Sequence, residues 1–478
     1  MVTLFPHPDR LLPTEPHVRS IARRLYESVR DAPIYSPHGH VPAELLANDE
    51  PFPDPAALLI TPDHYVTRLL HAHGVSLHDL GLSKADGSAP AHGRDIWRTL
   101  CRHWDVFLGT PVRLWFESEF SEVFGLTEVP DANNADDLYD QISEAISAPE
   151  FRPRALFERF RIAVLATTDD PADDLSSHRR LANDPTFPGR VIPTFRADAY
   201  MHPEKNGWTE RLDALAQTAN TATDTYAGLL AALRRRRAAF QAAGGTASDT
   251  GVFDVECEPL EMPEAERIHR AGLSGNITAR EAEAYRHNLL YRLAEMASDD
   301  GLVMQIHAGV YRNHHQPTFE SYGPDTGHDL PARTTFTRPL TPILRDFGTN
   351  PTFRMVLFTV DETTFSRDIG PLAGFYPCVY AGAPWWFLDS PDGILRFRQA
   401  VTDSAGFHKT SGFIDDTRAY CSIPARHDMS RRVDASFLAS LVASHRISEE
   451  DAATLAQQLV SDIPQATFRL GTNTNSQQ

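Results

Sequence analysis

The strongest constraint in this sequence is a rhythm. From residue 160 onward, short apolar runs that end in polar or glycine residues alternate with stretches of helical periodicity. The runs cover residues 162–167, 190–195, 250–255, 303–307, 355–360, 379–383 and 412–415, and residues 32–35 add another near the N-terminus, eight in all. Between them, 208–243 reads as one helix whose basic run Arg234-Arg235-Arg236-Arg237 precedes the C-cap glycines Gly244-Gly245. Thr278-Ala279-Arg280-Glu281 is a capping box opening a helix through Met296, and 391–401 carries Ile394, Phe397 and Val401 at helical spacing. Eight strands alternating with helices predict a closed parallel (β/α)8 barrel, a TIM barrel. The rival, an open doubly wound sheet, lacks its signature, because no glycine-rich phosphate loop follows any of the runs.

Residues 1–40 form an N-terminal segment with strand 1, and 41–160 a mostly helical insertion with helices expected at 63–72, 94–108 and 136–147. Residues 161–446 supply the rest of the barrel, and 447–478 a C-terminal helix and tail. The formal net charge of −19 is spread along the chain, which argues against nucleic-acid and anionic-membrane partners. No stretch approaches the ~20 apolar residues of a membrane span. Cys101, Cys257, Cys378 and Cys421 are widely separated, as expected of reduced, packed thiols in a cytoplasmic enzyme.

In such a barrel the chemistry lies at the C-terminal ends of the strands. Strand 1 ends in Ser36-Pro37-His38-Gly39-His40, and in extended chain residues i and i+2 share a face, so both imidazoles can reach one ion. His71 and His73 have the same spacing on a helix end, where the two side chains diverge. The fifth run ends in His307, the eighth leads to Asp416 and Arg418, the third to Arg196, and the fourth begins near Asp249. His38, His40, His307 and Asp416 are thus a candidate ligand set for a divalent metal, with Zn²⁺ first and Mn²⁺ as the alternative. Arg196 and Arg418 offer guanidinium forks for a carboxylate. Tyr65 stands beside His64 at a helix start, and Trp385, next to Trp386, is read as a pocket wall.

These residues fall within stretches that resemble a known family. His-x-His on strand 1, a histidine on strand 5 and an aspartate on strand 8 resemble the metal-dependent amidohydrolase superfamily. Pro62-Asp63-His64-Tyr65, Thr167-Thr168-Asp169-Asp170-Pro171, Ile192-Pro193-Thr194-Phe195-Arg196, Trp385-Trp386-Phe387 and Pro424-Ala425-Arg426-His427 are similar to the uronate (glucuronate) isomerase family within it. Two positions depart from that pattern: Ser36 and Pro37 replace the usual acid and aromatic, and Arg312-Asn313-His314-His315 replaces an asparagine-rich run.

The resemblance implies isomerisation of D-glucuronate to D-fructuronate, of D-galacturonate to D-tagaturonate, or both, by proton transfer between C2 and C1. It makes a small sugar acid the partner and leaves a homo-oligomer open. It places His64, Tyr65, Arg196, Asp249 and Arg418 around the sugar acid. Asp416, or a water it positions, is then the base, Tyr65 the acid, and Arg418 the oxyanion stabiliser with His64 beside it. Arg196 is the carboxylate anchor. Two other functions share the metal ligands: a lactonase or amidase of the amidohydrolase type, and a non-catalytic sugar-acid binding protein.

Overall fold

The computed structural model describes residues 4–471. Eight short strands build its centre: β1 (Ile34–Ser36), β2 (Ile162–Ala166), β3 (Arg190–Ile192), β4 (Thr194–Arg196), β5 (Ala247–Val252), β6 (Val303–Ala308), β7 (Met355–Thr359) and β8 (Val379–Ala381). All their pairings are parallel, in the order β1-β2-β3 and β8-β7-β6-β5-β4.

Pro193 separates β3 from β4 and has no N–H to give the ladder. The chain past β2 spans this gap: Asp169 N donates to Thr194 O, and Arg196 N donates to Asp169 O, both at 3.0 Å. The other seam is closed by residues 410–417. Ser411 N donates to Ala381 O at 2.9 Å, and His40 N donates to Thr417 O at 3.0 Å. The sheet therefore closes into the barrel that the alternating pattern predicts.

Alternation within the strands decides what lines the interior. In β6, Met304, Ile306 and Ala308 pack into the apolar layer beneath the outer helices, so Val303, Gln305 and His307 face the other way. All six residues are buried, as expected of a central parallel strand covered on both faces. The helix Ala279–Asp300 delivers the chain to β6, opening on the Thr278–Glu281 capping box and closing on Gly301 at φ 77°. The two ends of the chain meet where Pro16–Val29, Ile423–Ala443 and Glu449–Val460 pack together around an apolar cluster of their own.

Several sequence expectations are corrected. The fourth strand lies at Ala247–Val252, earlier than 250–255, which brings Asp249 inside the ladder. Residues 412–415 form no strand, although the extended chain there still closes the barrel. The helix expected over 208–243 is two helices, Trp208–Ala219 and Tyr226–Ala242, because Asn220 turns into the left-handed region at φ 46° and Thr225 caps a new start. Arg237 is consequently no solvated last-turn cation: it is buried and paired with Asp300. The helix expected over 94–108 ends at Arg102 and gives way to a 3-10 turn, Trp104–Phe107.

Between β1 and β2 the chain is helical, from Ala43–Asn48 to Pro153–Arg159. Its helix His64–Ala72 is capped by Asp63, whose carboxylate accepts from Tyr65 N at 2.8 Å. That cap sets the first turn, and with it His64 and Tyr65, against the barrel mouth.

Candidate metal and sugar-acid site

The C-terminal strand ends open into a cavity of about 630 Å³ whose walls include His38, His40, His307, Asp416, Arg196 and Arg418. Donor atoms of His38, His307 and Asp416 all lie within 4.8 Å of one another, although the residues come from three separate segments of the barrel wall. His40 falls outside that trio but its Nε2 is 3.1 Å from Asp416 Oδ1, and His38 Nε2 is 3.2 Å from the same oxygen. Neither contact has hydrogen-bonding geometry. Asp416 Oδ1 and His307 Nε2 are both buried with no hydrogen-bond partner.

A buried carboxylate oxygen and a buried imidazole nitrogen left unpaired are costly unless something else satisfies them. Two or three imidazoles and one carboxylate are the donor set of an open divalent-metal site, so these residues fit such an ion. Burial keeps His307 and His40 neutral, the form that ligates. His38 is driven the other way: against the effect of burial, Asp249 and Asp416 raise its pKa. Burial alone would raise the Asp416 carboxyl, but the neighbouring His38 and His40 outweigh it and hold the group ionised.

Asp249 is the main correction to the predicted site. It does not line the cavity; it is fully buried beneath His307, accepting from Nδ1 at 2.6 Å. That bond fixes the ring so that Nε2 faces the cluster, the usual second-layer arrangement behind a ligating histidine. The parallel register explains the placement, since Asp249 lies opposite Arg196 on β4, and Gly251 lies opposite His307 on β6. Arg196 Nη1 is 3.2 Å from Asp249 Oδ2, and its Nε donates to Asp198 at 2.8 Å. A Cβ at Gly251 would sit 2.5 Å from the Arg196 guanidinium and displace it, so the glycine leaves room for Arg196 in its present position.

The insertion contributes the other wall. Burial, with help from Arg418, pushes the His64 imidazole down to about 3, so it is neutral at ordinary pH. Its ring meets Trp386 edge-on at 4.9 Å. Burial raises the Tyr65 hydroxyl well above its ordinary value, so it keeps its proton. The Tyr65 ring lies under the Arg426 guanidinium at 4.7 Å, and Trp385 stands edge-on to His307 at 4.8 Å. Arg418 reaches across the mouth to Asp325 at 3.2 Å.

The sequence reading missed Asp198, Arg312, Asn313 and Asp325, which also line the cavity. Asp198 was within reach, being the polar residue two places beyond Arg196. The other three flank the short helix Gln316–Tyr322, where no apolar run marks a strand end. His71 and His73 stay apart from the centre, each bonding to a nearby carbonyl.

Fold and site together define a (β/α)8-barrel enzyme with a strand-end cluster suited to a divalent cation and arginines beside it. The family model described as Glucuronate isomerase matches residues 17–468. A uronate isomerase of Corynebacterium efficiens is 51% identical over 467 residues, covering 97% of this chain and 98% of its own. The crystal structure of glucuronate isomerase from Caulobacter crescentus superposes with a TM-score of 0.96 at 43% identity, covering 99% of this chain and 98% of that one. For uronate isomerase from Thermotoga maritima the TM-score is 0.90 at 27% identity, with 97% and 99% covered. The chain belongs to the glucuronate isomerase family, and its activity is that of an aldose–ketose isomerase.

Proposed function

We propose that the chain interconverts D-glucuronate with D-fructuronate, D-galacturonate with D-tagaturonate, or both, at the His38–His307–Asp416 centre. The observation that carries this reading is the convergence of those three donor groups on the cavity wall that also holds Arg196 and Arg418. His38, His40, His307 and Asp416 would hold the metal, Zn²⁺ in preference to Mn²⁺, because imidazole-rich sites of this kind suit zinc. When bound, a divalent cation supplies Lewis-acid polarisation of the substrate oxygens.

The chain's own residues then divide the work. Moving a hydrogen from C2 to C1 as a proton passes through an enediol and needs a base at C2 and an acid at the carbonyl oxygen. Asp416, ionised and facing the cavity, takes the proton from C2. Tyr65, which keeps its hydroxyl proton, donates to the carbonyl oxygen at C1, giving the enediol. Protonated Asp416 then returns the proton to C1 while the Tyr65 phenolate recovers a proton from the C2 hydroxyl, leaving the ketone at C2 and both residues in their starting states. Arg418 stabilises the charge that grows on the enediol oxygens, with neutral His64 beside it to orient a hydroxyl. Arg196 anchors the C6 carboxylate, although Asp198 and Asp249 already offset part of its charge. Trp385 closes the pocket behind His307. In this reading segment 41–160 serves as an insertion that delivers His64 and Tyr65. The four free, buried cysteines fit a reducing compartment, the cytoplasm. No helix among the described residues is long and apolar enough to cross a membrane.

The test is direct. The enzyme is incubated with D-glucuronate or D-galacturonate, with and without added Zn²⁺ or Mn²⁺, and the ketose is followed by NMR. Ketose formation is expected with at least one of the two uronates. Lactone hydrolysis without isomerisation, or binding of a uronate without turnover, contradicts the proposal.

A further inference from the structure

We propose that Asp325 is a positioning residue for the isomerisation, holding the Arg418 guanidinium over the reaction centre. The inference rests on the reading of Arg418 as the group that stabilises the enediol oxygens. Arg418 lies two residues beyond Asp416 and is about one-third exposed. Among the described residues its one ion-pair partner is Asp325, with Nη2 donating to Oδ2 at 3.2 Å. A long, flexible side chain with no other partner would sample many rotamers in the open cavity, and a guanidinium contributes to catalysis only when aimed. The second Asp325 oxygen faces Arg312 Nη1 at 3.5 Å, so one carboxylate ties together the two guanidinium groups of this wall.

Asp325 is itself held in place from both sides. Downstream, Asp329 is buried, pairing with Arg312 Nη1 at 3.0 Å and accepting from Asn313 N at 2.6 Å. Gly327 packs so closely on the insertion helix that a Cβ would lie 3.1 Å from Arg68 Cβ and 3.5 Å from His64 O. Upstream, Ser321 O accepts from Ala85 N at 2.8 Å. Between these tethers Asp325 sits in the left-handed region at φ 61°, which an aspartate tolerates better than most residues. The loop thus presents one carboxylate at a fixed point of the mouth. With about half of the Asp325 side chain exposed, the pair contributes little to stability, so its consequence is the direction in which Arg418 points.

Asp325→Asn keeps the shape and removes the charge. It should lower kcat by about tenfold or more, leave KM within about twofold and leave metal content unchanged. Asp325→Glu should recover part of the lost kcat. In an Arg418→Lys background, the further effect of Asp325→Asn should shrink below about twofold, because the two residues act as one unit. A kcat within twofold of wild type for Asp325→Asn, a rise in KM alone, or full additivity with Arg418→Lys overturns the proposal. If Arg418→Lys itself keeps wild-type kcat, the reading of Arg418 fails and the proposal falls with it. A low kcat for Arg418→Lys beside a wild-type kcat for Asp325→Asn overturns the proposal alone.

Discussion

The floor of the cavity and its rim are built by different means. The floor residues His38 and His307 sit at or just past the ends of strands and are buried, with Asp249 behind His307, and Asp416 ends the extended segment that closes the barrel. The rim residues Arg312, Asp325 and Arg418 come from loops, are partly exposed, and are held by ion pairs to one another. Parallel ladders fix the floor to within the tolerance of a metal site, whereas the rim depends on contacts that solvent and salt can weaken. Chemistry that needs fixed ligands is therefore placed on the barrel, and groups that must admit and release a sugar acid are placed on loops.

The largest effect should follow from changing the floor. Asp416→Asn removes the proposed base and should lower kcat by about 10³-fold. Its unfolding transition should stay near wild type, since the polar side chain is nearly isosteric. Turnover near the wild-type rate would sink the assignment. Next in size is Asp249→Asn, which removes the charge that orients His307 without touching the cavity. A chelator competition should read a fall in metal affinity of about 10- to 100-fold. Unchanged affinity would place the control of His307 elsewhere.

A smaller effect concerns the pair behind the floor, where burial pushes Asp169 up to about 7 and His178 down to about 4. Thr167 Oγ1 donates to Asp169 at 2.6 Å and lies 2.8 Å from His178 Nε2. A raised carboxyl gives stability that is complete below its unfolded value of 3.8 and lost as pH rises through about 7. A depressed imidazole gives stability that is complete above its unfolded value of 6.5 and lost as pH falls through about 4. The two oppose each other. Relative to wild type, Asp169→Asn should gain stability as pH rises from about 4 to 7, by about 1–2 kcal/mol, and His178→Gln should lose a similar amount. Parallel denaturant curves at pH 4.5 and 7 measure both, and equal slopes for the two variants would contradict this account. The smallest effect is that of salt on the rim. Raising ionic strength from about 0.01 to 1 M, which shortens the Debye length from about 30 to 3 Å, should raise KM about threefold while metal content holds, as kinetics and metal analysis of the same samples can check.

The same contrast explains how far the sequence could be read. The barrel was legible because strand period, strand length and the polar residues closing each apolar run all pointed one way. Strand-end position also singled out His38, His40, His307, Asp416, Arg196 and Arg418 from 21 histidines and many charges. Asp249 falls behind the cavity wall because its strand begins earlier than its apolar run suggests, which places Gly251, two residues on, at the wall instead. The break at Asn220 falls in the Thr-, Asn- and Asp-rich run 218–225, whose capping residues stop one helix and start the next between two alanine- and leucine-rich stretches. Arg312 and Asp325 carry no strand-end signal, since the helix Gln316–Tyr322 and its flanking turns lie between them and only tertiary packing brings them together.

The central claim is that the trio His38, His307 and Asp416 forms a divalent-metal centre on which turnover depends. Metal analysis of the purified enzyme, wild type beside His307→Asn, with kcat measured on the same samples, tests it most directly. One divalent ion per wild-type chain, little in the variant, and activity that falls with occupancy is the predicted result. Undiminished isomerisation by wild-type enzyme stripped of metal would contradict it.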